Sequence, residues 1–143
     1  MKLSTFRNDL QKLIYNATAI ANFAQDGVTP IANLFTALHT SWPGLAGDQT
    51  TNEIAYTGYG RVSTARTSGG WTVTTNSVSP VAAITFGQMT AGAGGTATHA
   101  TVGHATSGAS KVYDCFVLGS RLGPFSAVVA GNAITIPGLS GVA

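Results

Sequence analysis

The sequence predicts a mainly β protein: an antiparallel β-sandwich or small barrel preceded by one N-terminal amphipathic α-helix. Three observations lead there. Helical periodicity is confined to the stretch before residue 26. After Pro30, short runs rich in Val, Ile, Thr and aromatic residues are separated by Gly, Asn, Ser and Pro clusters, at intervals of roughly 8–15 residues. No helical pattern is interleaved with those runs, which removes the strand–helix–strand layouts. The expected organisation is an N-terminal arm over residues 1–28 and a single β-domain over 29–143.

The arm comes first. Leu3, Phe6, Leu10, Leu13, Ile14, Ala17, Ile20, Ala21 and Ala24 recur at spacings of three and four, while Arg7, Asn8, Gln11, Lys12 and Asn22 fall on the other side. The expected helix covers residues 2–25, with Ser4 as N-cap and Gly27 followed by Pro30 as stop signal. Such a helix either lies over its own sheet or packs on a neighbouring subunit.

Strands are expected at 33–40, 57–66, 70–75, 81–86, 96–104, 111–119, 125–130 and 133–137. Gly131-Asn132 between AVVA and AITI is a two-residue hairpin signal, and Gly69-Gly70 is a weaker turn. Residues 41–52 and 87–95 read as long surface loops, the second nearly free of side chains.

Composition narrows the function. Charged residues are 8% of the chain, about a third of the usual share, and the 20 Thr and 11 Ser make the polar surface one of hydroxyls. So pale a surface suits a chain packed into an assembly. The net charge of +2 contains no Lys/Arg run for phosphate backbones, which argues against nucleic acid. No apolar stretch reaches the about 18 residues that cross a bilayer, and polar residues Arg7, Asn8, Asp9, Gln11 and Lys12 interrupt any signal-peptide core. A chain kept in the cytoplasm where it is made is expected.

The search for chemistry finds no enzyme. His99 and His104 are an odd number of residues apart in one expected strand, so they face opposite ways, and His39 stands in another. A histidine bonded to a threonine or a backbone carbonyl is the favoured reading over a metal ligand. Cys115, the only cysteine, sits in an apolar strand as a small hydrophobe, with Asp114 on the other face. The glycines from Gly87 to Gly95 lack the lysine of a phosphate loop. Asp48 with Glu53 could form a hydrolytic pair only in a cleft, so Glu53 is expected instead to pair with Arg61 or Arg66. No cofactor or metal is expected.

Several blocks carry a resemblance. They are Leu38 and Thr40; Pro43-Gly44-Leu45-Ala46-Gly47; Thr51-Asn52-Glu53-Ile54; and Gly58-Tyr59-Gly60-Arg61-Val62. Trp71-Thr72-Val73, Ala83-Ile84-Thr85-Phe86, Thr98-His99-Ala100-Thr101-Val102-Gly103 and Ser107-Gly108-Ala109-Ser110 continue it. Over roughly residues 33–122 the chain resembles a family of small tailed-bacteriophage virion proteins, known as tail-fibre or minor structural proteins. The family pattern often has Phe or Trp where this chain has Ala100. The resemblance implies a non-enzymatic structural protein of the virion, with Asn52, Glu53, Tyr59, Arg61 and Trp71 as signature structural residues.

Three functions follow as expectations. The preferred one is a capsid cement or decoration protein, a dimer or trimer that bridges major capsid protein subunits. The alternative is a tail-fibre or tail-tip component that contacts tail proteins and the host. The third is a carbohydrate-binding module, with Trp71 and Tyr59 as aromatics on one exposed face. Candidate interface residues are Phe6, Leu10, Leu13, Trp42 and Leu139, with Trp42 the favoured anchor.

Overall fold

The computed structural model describes residues 4–19, 31–74 and 77–118, and two short strands at 127–128 and 135–136. The chain is mainly β, with antiparallel sheets and one N-terminal helix. Helix α1 (Ser4–Asn16) is followed by β1 (Asn33–His39), β2 (Val62–Ala65), β3 (Trp71–Thr74), β4 (Ser77–Pro80) and β5 (Ile84–Thr85). Then come β6 (Thr96–Ala97), β7 (His99–Gly103), β8 (Val112–Val117), β9 (Ala127–Val128) and β10 (Thr135–Ile136).

A four-stranded sheet in the order β2-β1-β7-β8 is the frame. This order has two distinct ends, so the closed barrel is not formed. Leu38 stands opposite Ala100 and Thr36 opposite Val102, while Ala37 faces Thr101 and His39 faces His99. Because side chains alternate, the sheet has one face built from Leu34, Leu38, Ala100, Val102 and Phe116 and another built from Phe35, His39, Thr101 and Cys115. The first is apolar: its residues join Tyr15, Trp71 and Val78 in the main core cluster. The second mixes Phe35 and Cys115 with the polar His39 and Thr101, and it carries the site described below.

Helix α1 covers the apolar face with the β3–β4 hairpin. It is shorter than the expected 2–25. It ends at Asn16 because Ala17 takes a left-handed φ of 51°, and the Thr18 N–H turns back to the Lys12 carbonyl at 3.1 Å. Arg66 reinforces the end by donating from Nε to the Ile14 carbonyl and from Nη2 to the Leu13 carbonyl, so a cation meets the negative pole of the helix. The Asn16 amide, oriented to satisfy both groups, donates to the carbonyls of Trp71 (3.1 Å) and Thr67 (3.2 Å). The helix thus packs on its own chain. Residues 20–25, Gly27 and Pro30 of the expected helix and stop lie outside the described residues.

Other expectations are corrected at particular elements. The strand expected at 57–66 is strand only from Val62, because Tyr56 to Tyr59 instead lie against the segment after β5. The loop expected at 87–95 is tied down there: Thr57 N–H donates to the Ala91 carbonyl at 2.8 Å, and Thr90 N–H to the Thr57 carbonyl at 3.0 Å. Gly58 and Gly87 permit this approach, since a Cβ on Gly58 would lie 2.2 Å from the Gln88 carbonyl oxygen and one on Gly87 2.1 Å from that of Gly58. Strand β4, Ser77–Pro80, was not expected; its Ser-Val-Ser-Pro composition reads as a turn, yet Pro80 is tolerated opposite Trp71 at the hairpin's open end. The strand expected at 81–86 shrinks to β5.

The run 96–104 breaks at Thr98, whose N–H donates to the His39 carbonyl at 2.9 Å, and β8 occupies 112–117 of the expected 111–119. Of the expected final hairpin, the described residues are β9 and β10, and these pair with β6 and β5 respectively, each as an antiparallel two-stranded ladder, rather than with each other. Gly131-Asn132 itself lies outside the described residues. Gly69-Gly70 does close a turn, with both Gly70 and Trp71 N–H groups on the Thr67 carbonyl at 3.0 Å, but it leads from one sheet to another.

Candidate functional site

The His39 face of the central sheet is covered by residues 41–54, and the join between the two is a network of side chains. His39, fully buried in β1, has both ring nitrogens engaged: Nδ1 meets the Thr51 carbonyl and Nε2 the Thr101 hydroxyl, each at 2.8 Å. Burial holds its imidazole below the usual histidine range, with the Thr51 carbonyl and the Glu53 carboxylate acting the other way. This is the histidine bonded to a threonine and a carbonyl that the sequence favoured. Gln49, also fully buried, donates from Nε2 to the Phe35 carbonyl at 2.9 Å. Its amide fills the space above Gly103, where a Cβ would come within 2.3 Å of Gln49 Oε1.

Glu53 and Arg61 extend the network outwards. Glu53 bridges to His39 in an isolated antiparallel pairing, which continues the ladder past the end of β2. Its carboxylate receives Arg61 Nε and Nη2, each at 2.8 Å, so the expected ion pair is formed with Arg61; Arg66 serves the helix end instead. The remaining Arg61 donors go to Gln49 Oε1 (3.3 Å) and the carbonyls of Ala105 (3.1 Å) and Gly108 (2.9 Å). The Arg61 side chain is 2% exposed and that of Glu53 17%. The Glu53 hydrogen bonds raise the Arg61 guanidinium further above its ordinary value. Tyr59 completes the group: its hydroxyl donates to Glu53 Oε1 at 2.9 Å and accepts the Leu38 N–H at 3.0 Å. That N–H lies beyond the last β2 residue opposite β1, so the phenol stands in for a ladder carbonyl. Burial pushes the Tyr59 hydroxyl well above the ordinary tyrosine value.

What this network positions is the loop outside it. Asp48 Oδ1 accepts the Thr50 hydroxyl and the Thr50 N–H (2.7 Å), an Asx-type turn, and these two bonds, the hydroxyl's first, pull Asp48 below the usual carboxylate range; the Thr51 hydroxyl accepts the Asp48 N–H at 3.2 Å. Asn52, in the left-handed region at φ 57°, accepts the Thr40 N–H on its carbonyl at 2.9 Å and donates its amide to the Trp42 carbonyl at 3.3 Å. The loop is therefore fastened at both ends and in the middle. At its outer side it presents Trp42, 54% exposed, and Leu45, 97% exposed.

The other sequence candidates separate by role. Trp71 is buried at 3% and meets Tyr15 edge-on at 4.8 Å between centroids, so it belongs to the seat of helix α1. Tyr59 is stacked parallel to Phe86 at 6.1 Å. Neither ring is part of an exposed face, so the aromatic platform expected for sugar binding is not built from them. Leu10 and Leu13 are half-buried on α1, the side chain of Phe6 is outside the described residues, and so is Leu139. Sequence reasoning missed Gln49, Thr101 and Gly103: a glutamine in a loop looks like surface, and only the fold places Gly103 beneath it. Among the described residues no three His, Cys, Asp or Glu side chains come together as a metal site.

With every donor of Arg61 and both nitrogens of His39 engaged, the network is built to hold a shape. Comparison with known proteins agrees with a structural family. No curated protein matches the chain. A family model described as Podophage GP4 fiber I protein gp80 matches residues 11–119, from within α1 to just past β8, which takes in the whole network and the Trp42 loop. The chain belongs to this podophage fibre protein family.

Proposed function

We propose that the chain is a non-enzymatic structural component of a phage tail fibre, and that it docks onto neighbouring fibre or tail proteins through the Trp42–Leu45 loop. The observation that carries this is the pairing of an exposed aromatic with a fixed backbone. Trp42 and Leu45 stand out from a loop held by Asp48, Gln49 and Asn52, so docking orders little that is not already ordered. The family description favours the fibre over the capsid-cement reading that the sequence preferred. A charge-poor surface suits either location and does not separate them. The family description supports a structural role, and within the network His39 and Glu53 are committed to internal bonds.

Cryo-electron microscopy of intact particles tests the proposal. Density for this fold along the fibres or at their junction with the tail, with Trp42 against another chain, is the expected result. Density repeated over the icosahedral shell between capsid subunits would return the cement reading.

A further inference from the structure

Helix α1 is fastened at its C-terminal end by Arg66 and Asn16 and seated on the apolar face through Tyr15. Among Asn8–Asn16, Tyr15 alone is fully buried, at 2% exposure. A helix of 13 residues is marginal in water without packing, so its persistence depends on that seat. The seat has an unusual floor. The Tyr15 hydroxyl donates to Asp114 Oδ2, and Asp114 projects from β8 on the apolar face of the sheet, opposite Val102 of β7. The only ion pair among the described residues is that of Glu53 with Arg61, so Asp114 has no cation there.

We propose that the Tyr15–Asp114 pair is a proton-controlled latch, which keeps α1 docked while the Asp114 carboxyl holds its proton and loosens the helix once that carboxyl ionises. Protonated, the carboxyl and the phenol form a neutral hydrogen-bonded pair that the apolar surroundings accept. Ionised, the half-buried carboxylate is a charge between helix and sheet whose one partner among the described side chains is the Tyr15 hydroxyl, and fuller hydration is gained by lifting the helix.

The groups around Asp114 leave this to the carboxyl itself. From α1 comes Tyr15, whose phenol burial and the neighbouring carboxylate keep protonated far above neutrality. From β8 comes Cys115, on the opposite face and itself pushed up, first by burial and then by Asp114. β7 contributes Val102, β3 contributes Trp71 against Tyr15, and Arg66 is committed to the helix carbonyls. Burial raises the Asp114 carboxyl from its ordinary 3.8, against the opposing Tyr15 hydrogen bond. A carboxyl raised on docking stabilises the docked state fully below its free value and loses that contribution as pH climbs through the raised one.

Hydrogen exchange of the full chain between pH 4 and 8, corrected for intrinsic rates, reads the latch directly. Protection of residues 4–16 is expected to fall severalfold as pH rises while that of β1 holds or rises, and the fall is expected to vanish in Asp114→Asn. Parallel pH dependence of α1 and β1 in the native protein, or an undiminished fall in Asp114→Asn, would overturn the proposal. Should Asp114→Asn not fold, Trp71 emission decides. In a Trp42→Phe background Trp71 is the sole tryptophan, and its emission should move to the red over the same range; a constant emission maximum sinks the latch.

Discussion

The Arg61 guanidinium closes a two-bond fork on the Glu53 carboxylate, Nε to Oε1 and Nη2 to Oε2, both at 2.8 Å, with the arginine side chain almost fully enclosed. The fork joins the loop that follows β1 to the segment that leads into β2. Its other donors reach the turn between β7 and β8 through Ala105 and Gly108, so one side chain fastens three separate parts of the chain.

Removing one partner leaves the other enclosed and uncompensated. Arg61→Met is expected to cost about 3 kcal/mol, toward the lower end of the range for a broken buried pair because Glu53 retains some solvent. Arg61→Lys should recover only part of it, since an ammonium cannot reproduce the planar fork. Guanidinium chloride unfolding of the three proteins checks the order, and an Arg61→Met protein as stable as the native one would remove the fork from its structural role.

Gly103→Ala is expected to cost about 2 kcal/mol through overpacking and lost hydrogen bonds. The new Cβ would fall on the Gln49 amide, and the bond from Gln49 to Phe35 would go with it. Limited proteolysis within residues 41–52 should then be faster than in the native protein.

Stability should fall on mild acidification, with His39 as a cause. Burial holds its pKa below the ordinary 6.5, so the unfolded chain takes up the proton first and acid favours unfolding. The contribution is complete above pH 6.5 and shrinks as pH drops toward the lowered folded value. Denaturant midpoints between pH 7.5 and 5 should decline in the native protein and decline less in His39→Asn. Asp114 acts with opposite sign, so the two separate when global midpoints are set beside local exchange of α1.

Trp42→Ala should leave stability within about 0.5 kcal/mol, as for an exposed side chain, while abolishing incorporation into particles. Complementation of a phage lacking the gene, followed by counting the protein in purified virions, measures this. Wild-type incorporation of Trp42→Ala would exclude the loop as the docking element.

The sequence by itself determined the fold class, the helix at the start, the positions of most strands and the partnership of Glu53 with a nearby arginine. These are legible because they depend on short-range pattern: periodicity of two or of about 3.6, turn residues, and opposite charges on adjacent segments. Tertiary structure decided the rest. Ala17 ends the helix and Arg66 caps it across a gap of more than fifty residues, which no local stop signal announces. Ser77–Pro80 becomes a strand because Trp71–Thr74 offers it a ladder, and β9 and β10 find their partners in β6 and β5. Gln49 reads as loop surface until β1, β7 and Arg61 surround it, and Gly103 acquires its meaning only beneath that amide. A buried hydrogen bond is a property of two distant places in the chain, and only the folded sheet brings His39, Thr101 and residues 49–61 to one point.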